Sequence, residues 1–321
     1  MPDILITEKI RGAAVDAMSK QFEVVTLPDL WKNPNELLQR VGEFRALIIR
    51  NQTQVNAALL EAGKKLRVIG RAGVGLNNVD VAAATRAGIL VTSTPDQNAI
   101  SVAELAIGLI LSLARMIPAA DADTKQGNWN RTRFLGTEIY GKTIGIIGAG
   151  KIGYLTARRA QAFGMKVLAY DPFISKDSIL LSEINAELVS LDNLLERSDV
   201  VSCHLPATKQ TAGLLNAECF ASMKPTATFI NTSRGEVVVE RDLIDALKSG
   251  AIGGAALDVR GTEPPVHGEL EKLSNLILTP HVAAFTHEAQ DRVTDAICED
   301  VCRVLEGKHA MNAVNKIQNR L

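Results

Sequence analysis

Three residues able to hold an anion and move a proton stand just past three short apolar runs. Arg234 follows Thr228–Asn231, Glu263 follows Ala255–Val259, and His281 follows Leu276–Leu278. An arginine presents a planar fork to a carboxylate and polarises the carbonyl beside it. A histidine exchanges protons near neutrality with a substrate oxygen. A glutamate on the second ring nitrogen orients the imidazole and favours its charged form. Together they suit the transfer of a hydride to or from a carbinol carbon. Singly, each is ordinary: strand-end arginines often serve as salt-bridge partners, and the chain has four further histidines, His204, His267, His287 and His309. His204 ends a strand pattern, where packing is a simpler role than a cofactor contact. The coincidence at three strand ends carries the functional reading.

The hydride carrier is legible in Gly148-Ala149-Gly150-Lys151-Ile152-Gly153, which follows the apolar run Thr143–Ile147. The first glycine makes a tight turn, the second lets a pyrophosphate approach the backbone, and the third lets helix pack on strand. Free N–H groups at the helix start hold phosphate. Asp171 closes the next run, Met165–Tyr170, where a carboxylate accepts both ribose hydroxyls and repels a 2′-phosphate; Pro172-Phe173 offers no arginine for one. The expected cofactor is NAD rather than NADP. The same glycines match a nucleoside-triphosphate loop as far as Lys151, but Ile152 stands where that loop needs a hydroxyl for magnesium.

These residues need a scaffold that puts strand ends on one rim. Runs at Asp3–Ile6, Phe22–Leu27, Ala46–Arg50, Leu66–Gly70 and Ile89–Thr92 alternate with amphipathic stretches such as Asn35–Val41, Ala57–Ala62 and Val81–Ala87, the pattern of a parallel α/β unit. A helix over Ser101–Met116 then leads toward Pro118. A second series places strands at Thr143–Ile147, Lys166–Tyr170, Val200–Cys203, Thr228–Asn231, Ala255–Val259 and Leu276–Leu278, six in all, with helices over Ile152–Ala162, Leu191–Arg197 and Leu243–Lys248. After Thr286 an amphipathic helix runs to about Leu305, and Ala313-Val314-Asn315 is apolar enough to rejoin the first unit. The expectation is two doubly wound parallel-sheet domains with a cleft between them. Residues 1–99 and 286–321 form a discontinuous outer, substrate-binding domain around a cofactor domain at 100–285.

Composition removes several classes. Lys plus Arg is 35 and Asp plus Glu is 36, a net charge of −1, with no bulk basic signal for nucleic acid or an anionic membrane. The start reads directly as a strand, not as a signal peptide, and the greasiest segment, Val102–Leu113, is interrupted by Glu104 and falls short of a bilayer span. The four cysteines, Cys203, Cys219, Cys298 and Cys302, form no CxxC pair and read as reduced thiols in a cytoplasmic protein, with no metal site.

Over nearly its whole length the chain resembles the D-2-hydroxyacid dehydrogenases, above all their phosphoglycerate dehydrogenase branch. The resemblance rests on Arg71-Ala72-Gly73-Val74-Gly75-Leu76-Asn77-Asn78-Val79-Asp80, Gly148–Gly153, Asn231–Gly235, Ala255–Val259, Glu263-Pro264-Pro265 and Pro280-His281. It implies a Rossmann cofactor domain inserted in a flavodoxin-like domain, with Arg234, Glu263 and His281 as the catalytic set. NAD contacts are implied at Lys151, Ile152, Asp171, Thr232 and Asp258, and Ser233, Ala283 and Ala284 are counted with them. Asp258 also suits a simple turn cap. The resemblance further implies a homodimer through the long helix before the cofactor domain.

Departures are informative. Ala283-Ala284 replace the usual glycine, so the loop after the histidine is expected to sit differently, and Arg260 stands where an aromatic residue is common, altering charge at the cleft mouth. Nothing follows Leu321, so serine feedback through an extra regulatory domain is not expected. The substrate reads as a small anionic 2-hydroxy or 2-oxo acid. Arg50 and Arg71, at strand ends of the outer domain, suit a second anionic group, unless they pair with surface acids. Gly73, Val74 and Gly75 resemble the loop that presents backbone N–H groups to the substrate carboxylate. Phosphoglycerate is the first expectation, with sulfolactate or a hydroxypyruvate/glyoxylate-type substrate as alternatives. Arg131 and Arg133, after Trp129, are candidates to reach a neighbouring subunit's site. An NAD-sensing corepressor-like binding protein is the alternative of another class.

Overall fold

The computed structural model describes residues 2–175 and 177–317. The last four residues of the expected outer domain therefore lie outside the described ones. The chain divides into two compact units, Met1–Asn98 with His287–Leu321, and Ala99–Thr286.

In the first unit, β1 (Ile4–Ile6), β2 (Val24–Thr26), β3 (Ala46–Ile49), β4 (Val68–Arg71) and β5 (Leu90–Thr92) make one parallel sheet in the order β2-β1-β3-β4-β5. Period-2 alternation sorts the side chains onto two faces. Leu5, Leu47, Ile49, Ile69 and Val91 pack with Leu37, Leu59 and Ala84 from the helices Pro34–Val41, Ala57–Ala62 and Val81–Arg86. Ile4, Ile6, Ile48 and Val68 turn the other way, against Val15 and Met18 of the helix Ala13–Met18 and Val293, Ile297 and Val301 of the helix His287–Leu305. Both faces are covered, which is why these strands read as continuous apolar runs. Asn56 and Asp80 cap the helices Ala57–Ala62 and Val81–Arg86 through Leu59 N and Ala83 N. The final described segment returns to β5: Ala313 bridges Thr92, Val314 N donates to Val91 O at 2.8 Å, and the Asn315 side chain accepts from Val91 N at 2.7 Å.

The second unit holds seven parallel strands in the order β12-β11-β10-β9-β6-β7-β8: β6 (Thr143–Ile147), β7 (Lys166–Tyr170), β8 (Glu187–Leu188), β9 (Val200–Cys203), β10 (Thr228–Asn231), β11 (Gly254–Leu257) and β12 (Leu276–Leu278). The sheet thus has one strand more than the sequence pattern yields. β8 is two residues long and lies at the edge, too short to leave a periodic signal. Chain direction of winding reverses between β6 and β9, the switch point at which a dinucleotide site forms. Ile107, Leu109 and Ile110 of the helix Ala99–Ala114 cover one face with Ala157 and Ala160 of the helix Lys151–Ala162, and Leu194, Phe220, Leu243 and Leu247 cover the other. The expected helix to Met116 instead stops at Ala114. Met116 takes a left-handed φ of 53°, and a new helix, Ile117–Lys125, begins with Pro118 in its first turn, where proline is tolerated. Among the described residues no single helix is long and apolar enough to cross a membrane.

Candidate active site

Strand register builds the site. Ile147 pairs with Tyr170 and Cys203, Asn231 with Cys203 and Leu257, and Leu257 with Leu278. The residues immediately beyond, Gly148, Asp171, His204, Thr232, Asp258 and Thr279, therefore start from one rim. Ligands of an open parallel sheet bind there.

Gly148 turns at a φ of +91°, and a Cβ there would fall 3.0 Å from the His204 carbonyl carbon. A Cβ at Gly153 would fall 2.1 Å from Gly148 O, so only glycine lets this helix lie so close to the loop, whereas the space beside Gly150 is open. The first N–H groups of the helix Lys151–Ala162 have no intrahelical acceptor and remain for phosphate. Asp171 accepts from Ala149 N at 3.0 Å and Phe173 N at 2.9 Å, one bond per oxygen, which leaves lone pairs for ribose hydroxyls. Two buried polar atoms at the adjoining strand ends, His204 Nδ1 and Thr232 Oγ1, have no partner. The Ser202 hydroxyl meets His204 Nε2 at 2.9 Å, and burial pulls the ring's pKa down to about 4, so it is neutral at neutral pH. An open approach to the backbone, free N–H groups and orphaned polar atoms fit a dinucleotide. Ser233 is turned inward instead, its hydroxyl donating to Asn231 Oδ1 at 2.8 Å.

His281 Nδ1 and Glu263 Oε2 lie 2.6 Å apart, which leaves Nε2 of the half-exposed ring for a substrate oxygen. His281 itself has a φ of +53°, a conformation that costs a non-glycine residue energy. Asp258 holds it there. Its backbone oxygen accepts from His281 N at 2.8 Å, and its carboxylate accepts from Thr279 Oγ1 at 2.6 Å, Val282 N at 2.9 Å and Ala283 N at 2.8 Å. With the residue 1% exposed, this carboxylate clamps the histidine loop. Arg234 stands beyond β10 with Nη1 donating to Ser233 O at 2.7 Å. Ala283 is buried under the Asp258 clamp.

The first unit orders its own arginine. Glu8, 3% exposed, accepts from the backbone N–H groups of Arg50, Gln52 and Thr53, and Asn78 Nδ2 donates to Arg50 O at 2.8 Å. The Arg50 guanidinium hydrogen-bonds Gln290 Oε1 and has its pKa lowered by burial, opposed by the Glu8 charge. Neither Glu8 nor Gln290 was visible as a functional residue in the sequence, because each acts across more than forty positions. Arg71 lies over the glycine loop: a Cβ at Gly73 would fall 1.8 Å from its Nη1.

The family described as D-isomer specific 2-hydroxyacid dehydrogenase, NAD binding domain, matches residues 107–283. The chain belongs to this family. NAD is accordingly the cofactor of its second unit. The chain is similar to a D-3-phosphoglycerate dehydrogenase of Synechocystis, 44% identical over 98% of this chain and 56% of that protein. It spans between 56% and 60% of the length of such curated relatives. Among solved structures, the TT0316 protein of Thermus thermophilus superposes with a TM-score of 0.90 at 34% identity, over 98% of this chain and 100% of that one. The holo form of Rhodotorula graminis D-mandelate dehydrogenase gives 0.90 at 29% identity, over 99% of each.

Proposed function

We propose that this 2-hydroxyacid dehydrogenase family member interconverts a small anionic 2-hydroxy acid and its 2-oxo acid, with 3-phosphoglycerate the first candidate. The observation that carries the reading is the His281–Glu263 pair, 2.6 Å apart on the rim that bears the glycine loop. Lys151, Ile152, Asp171 and Thr232 hold NAD, which takes up or supplies the hydride. His281 Nε2 exchanges the proton of the substrate oxygen, Glu263 keeps the ring oriented and balances its charge, and Arg234 binds the carboxylate. The N–H groups of Gly73-Val74-Gly75 meet the same carboxylate, and Arg50 and Arg71 bind the second anionic group. Residues 1–98 and 287–317 are then a substrate-binding domain. The names of the curated relatives and the half-buried, positively charged Arg50 favour a substrate with a second anion.

The working form is a cytoplasmic homodimer. Ile117, Trp129, Leu135 and Tyr140, 51–87% exposed, support a covered face along this segment. Arg133, 3.6 Å from Asp123, is placed within the same segment. The decisive test is a panel of phosphoglycerate, sulfolactate, glycerate, lactate and malate with NAD, read as NADH formation, and hydroxypyruvate and glyoxylate in reverse. Better turnover of lactate than of phosphoglycerate would reject the second anion, and no turnover of any acid would reject the enzyme reading in favour of a binding protein.

A further inference from the structure

The segment that delivers Glu263 has no regular structure, yet both its carboxylate oxygens are placed. Oε2 meets His281 Nδ1 at 2.6 Å, and Oε1 accepts from the backbone N–H of Arg260 at 3.0 Å. Where the glutamate points therefore depends on where the Arg260 peptide sits. That peptide is gripped from two sides. A Cβ at Gly235 would fall 2.0 Å from the Arg260 carbonyl carbon and 2.4 Å from Gly261 N, so the Arg234-Gly235 loop touches it backbone to backbone. From the other side come two acids. Glu240, first in the helix Glu240–Ser249, accepts from Arg260 Nε at 3.3 Å and Gly261 N at 2.6 Å through the same oxygen. Glu271, in the short turn Leu270–Lys272, accepts from Arg260 Nη1 at 2.7 Å, and its second oxygen accepts from Gly268 N at 2.7 Å.

The Arg260 side chain is 12% exposed, and its charge is matched by two carboxylates. The guanidinium in turn holds the Glu271 carboxyl down at about 2. Enclosed ion pairs of this kind add little to stability compared with apolar packing, but a planar fork fixes geometry. Here the fixed geometry is that of one dipeptide, and its N–H aims the glutamate.

We propose that Arg260 is a positioning residue for the His281–Glu263 pair, its ion pairs with Glu240 and Glu271 holding the Arg260-Gly261 backbone so that Glu263 faces the imidazole. The effect on turnover rests on the proton-transfer role given to His281 above, but the hydrogen bond can be measured without substrate or NAD. The ring nitrogen-15 shifts of His281 in the full chain, assigned by their loss in His281→Gln, report whether Nδ1 donates to a carboxylate. Arg260→Met should move the Nδ1 shift to the value found in Glu263→Gln, and Arg260→Lys should keep it nearer the parent value. Where a hydroxy acid is turned over, kcat should fall roughly tenfold to a hundredfold in Arg260→Met, with NADH affinity unchanged. If Arg260→Met does not fold, Glu271→Gln, which leaves Glu240 in place, is read in the same way. A parent-like Nδ1 shift in the folded variant would overturn the proposal and leave the ion pairs a purely structural role. So would a parent shift indistinguishable from that of Glu263→Gln.

Discussion

Exchanging Asp258 for asparagine separates two roles for this aspartate, ligand of the cofactor or clamp of the histidine loop. The carboxylate is 1% exposed and accepts from Thr279 Oγ1, Val282 N and Ala283 N, at 2.6–2.9 Å. Asparagine retains one acceptor oxygen, and its amide NH2 must face a donor whichever way it turns. The Thr279 hydroxyl can reverse its role, but one of the two backbone N–H groups is then left against another donor. Losing a hydrogen bond to a charged group costs about 1.5–3 kcal/mol. For a unit of this size each kcal/mol lowers the melting temperature by about 2–4 °C, so Asp258→Asn should melt about 3–12 °C lower. Because Val282 N and Ala283 N directly follow His281, loosening either bond shifts the imidazole, and kcat should fall while the NADH dissociation constant stays nearly constant. Thermal unfolding by circular dichroism, fluorescence titration with NADH and steady-state kinetics give the three quantities. A melting temperature within about 1 °C of the parent, with NADH affinity clearly weakened, would refute the clamp and make Asp258 a direct cofactor contact.

Other exchanges test the remaining assignments. Asp171→Asn should narrow the preference for NAD over NADP, and comparable kcat/KM for both cofactors in the parent would dispose of the ribose role. His281→Ala should lower turnover by about 10²–10⁴-fold with NADH binding intact; near-normal rates would give proton transfer to another group. Glu263→Gln should slow turnover with NADH binding intact, since the imidazole loses the carboxylate that orients it, and a parent-like rate would contradict the contact in solution. Arg50→Ala should raise KM for phosphoglycerate on the order of tenfold to a hundredfold, and for glycerate far less, the worth of one charge-assisted hydrogen bond. Equal losses on both would mean that Arg50 serves the Glu8–Gln290 network instead.

What could be read from the sequence was set by how local each signal is. The runs Thr143–Ile147, Lys166–Tyr170 and Thr228–Asn231 coincide with β6, β7 and β10, because a strand buried on both faces is an unbroken apolar run ended by glycine or a polar residue. The helix Ala13–Met18 has six residues and no side-chain cap, so it left neither a period nor a start signal. At the site, Arg234, Glu263 and His281 were legible as strand-end residues, and the order of the sheet is what aligns them. Their supports were not. Glu240 and Glu271 meet Arg260 across twenty and eleven positions through irregular turns, and nothing in the spacing distinguishes them from solvated helix acids. For Asp258 the sequence admits both a cap and a cofactor contact, since choosing needs the path of the chain after Pro280.

The first unit also sets a timetable for its own assembly. Ile4, Ile6, Ile48 and Val68 share a core with Val293, Ile297 and Val301. Roughly 290 residues of synthesis separate the first of these from the last group, and translation at about 5–20 residues per second takes about 15–60 s to cover them. Throughout that interval one face of β1, β3 and β4 lacks the helix His287–Leu305, and β5 lacks the Asn315 side chain that accepts from its Val91. Ala99–Thr286, by contrast, emerges as one uninterrupted stretch with its core residues all present. The first unit thus closes only after Ala99–Thr286 has been made, and until then the part of its sheet face beside the helix Ala13–Met18 lacks its apolar cover.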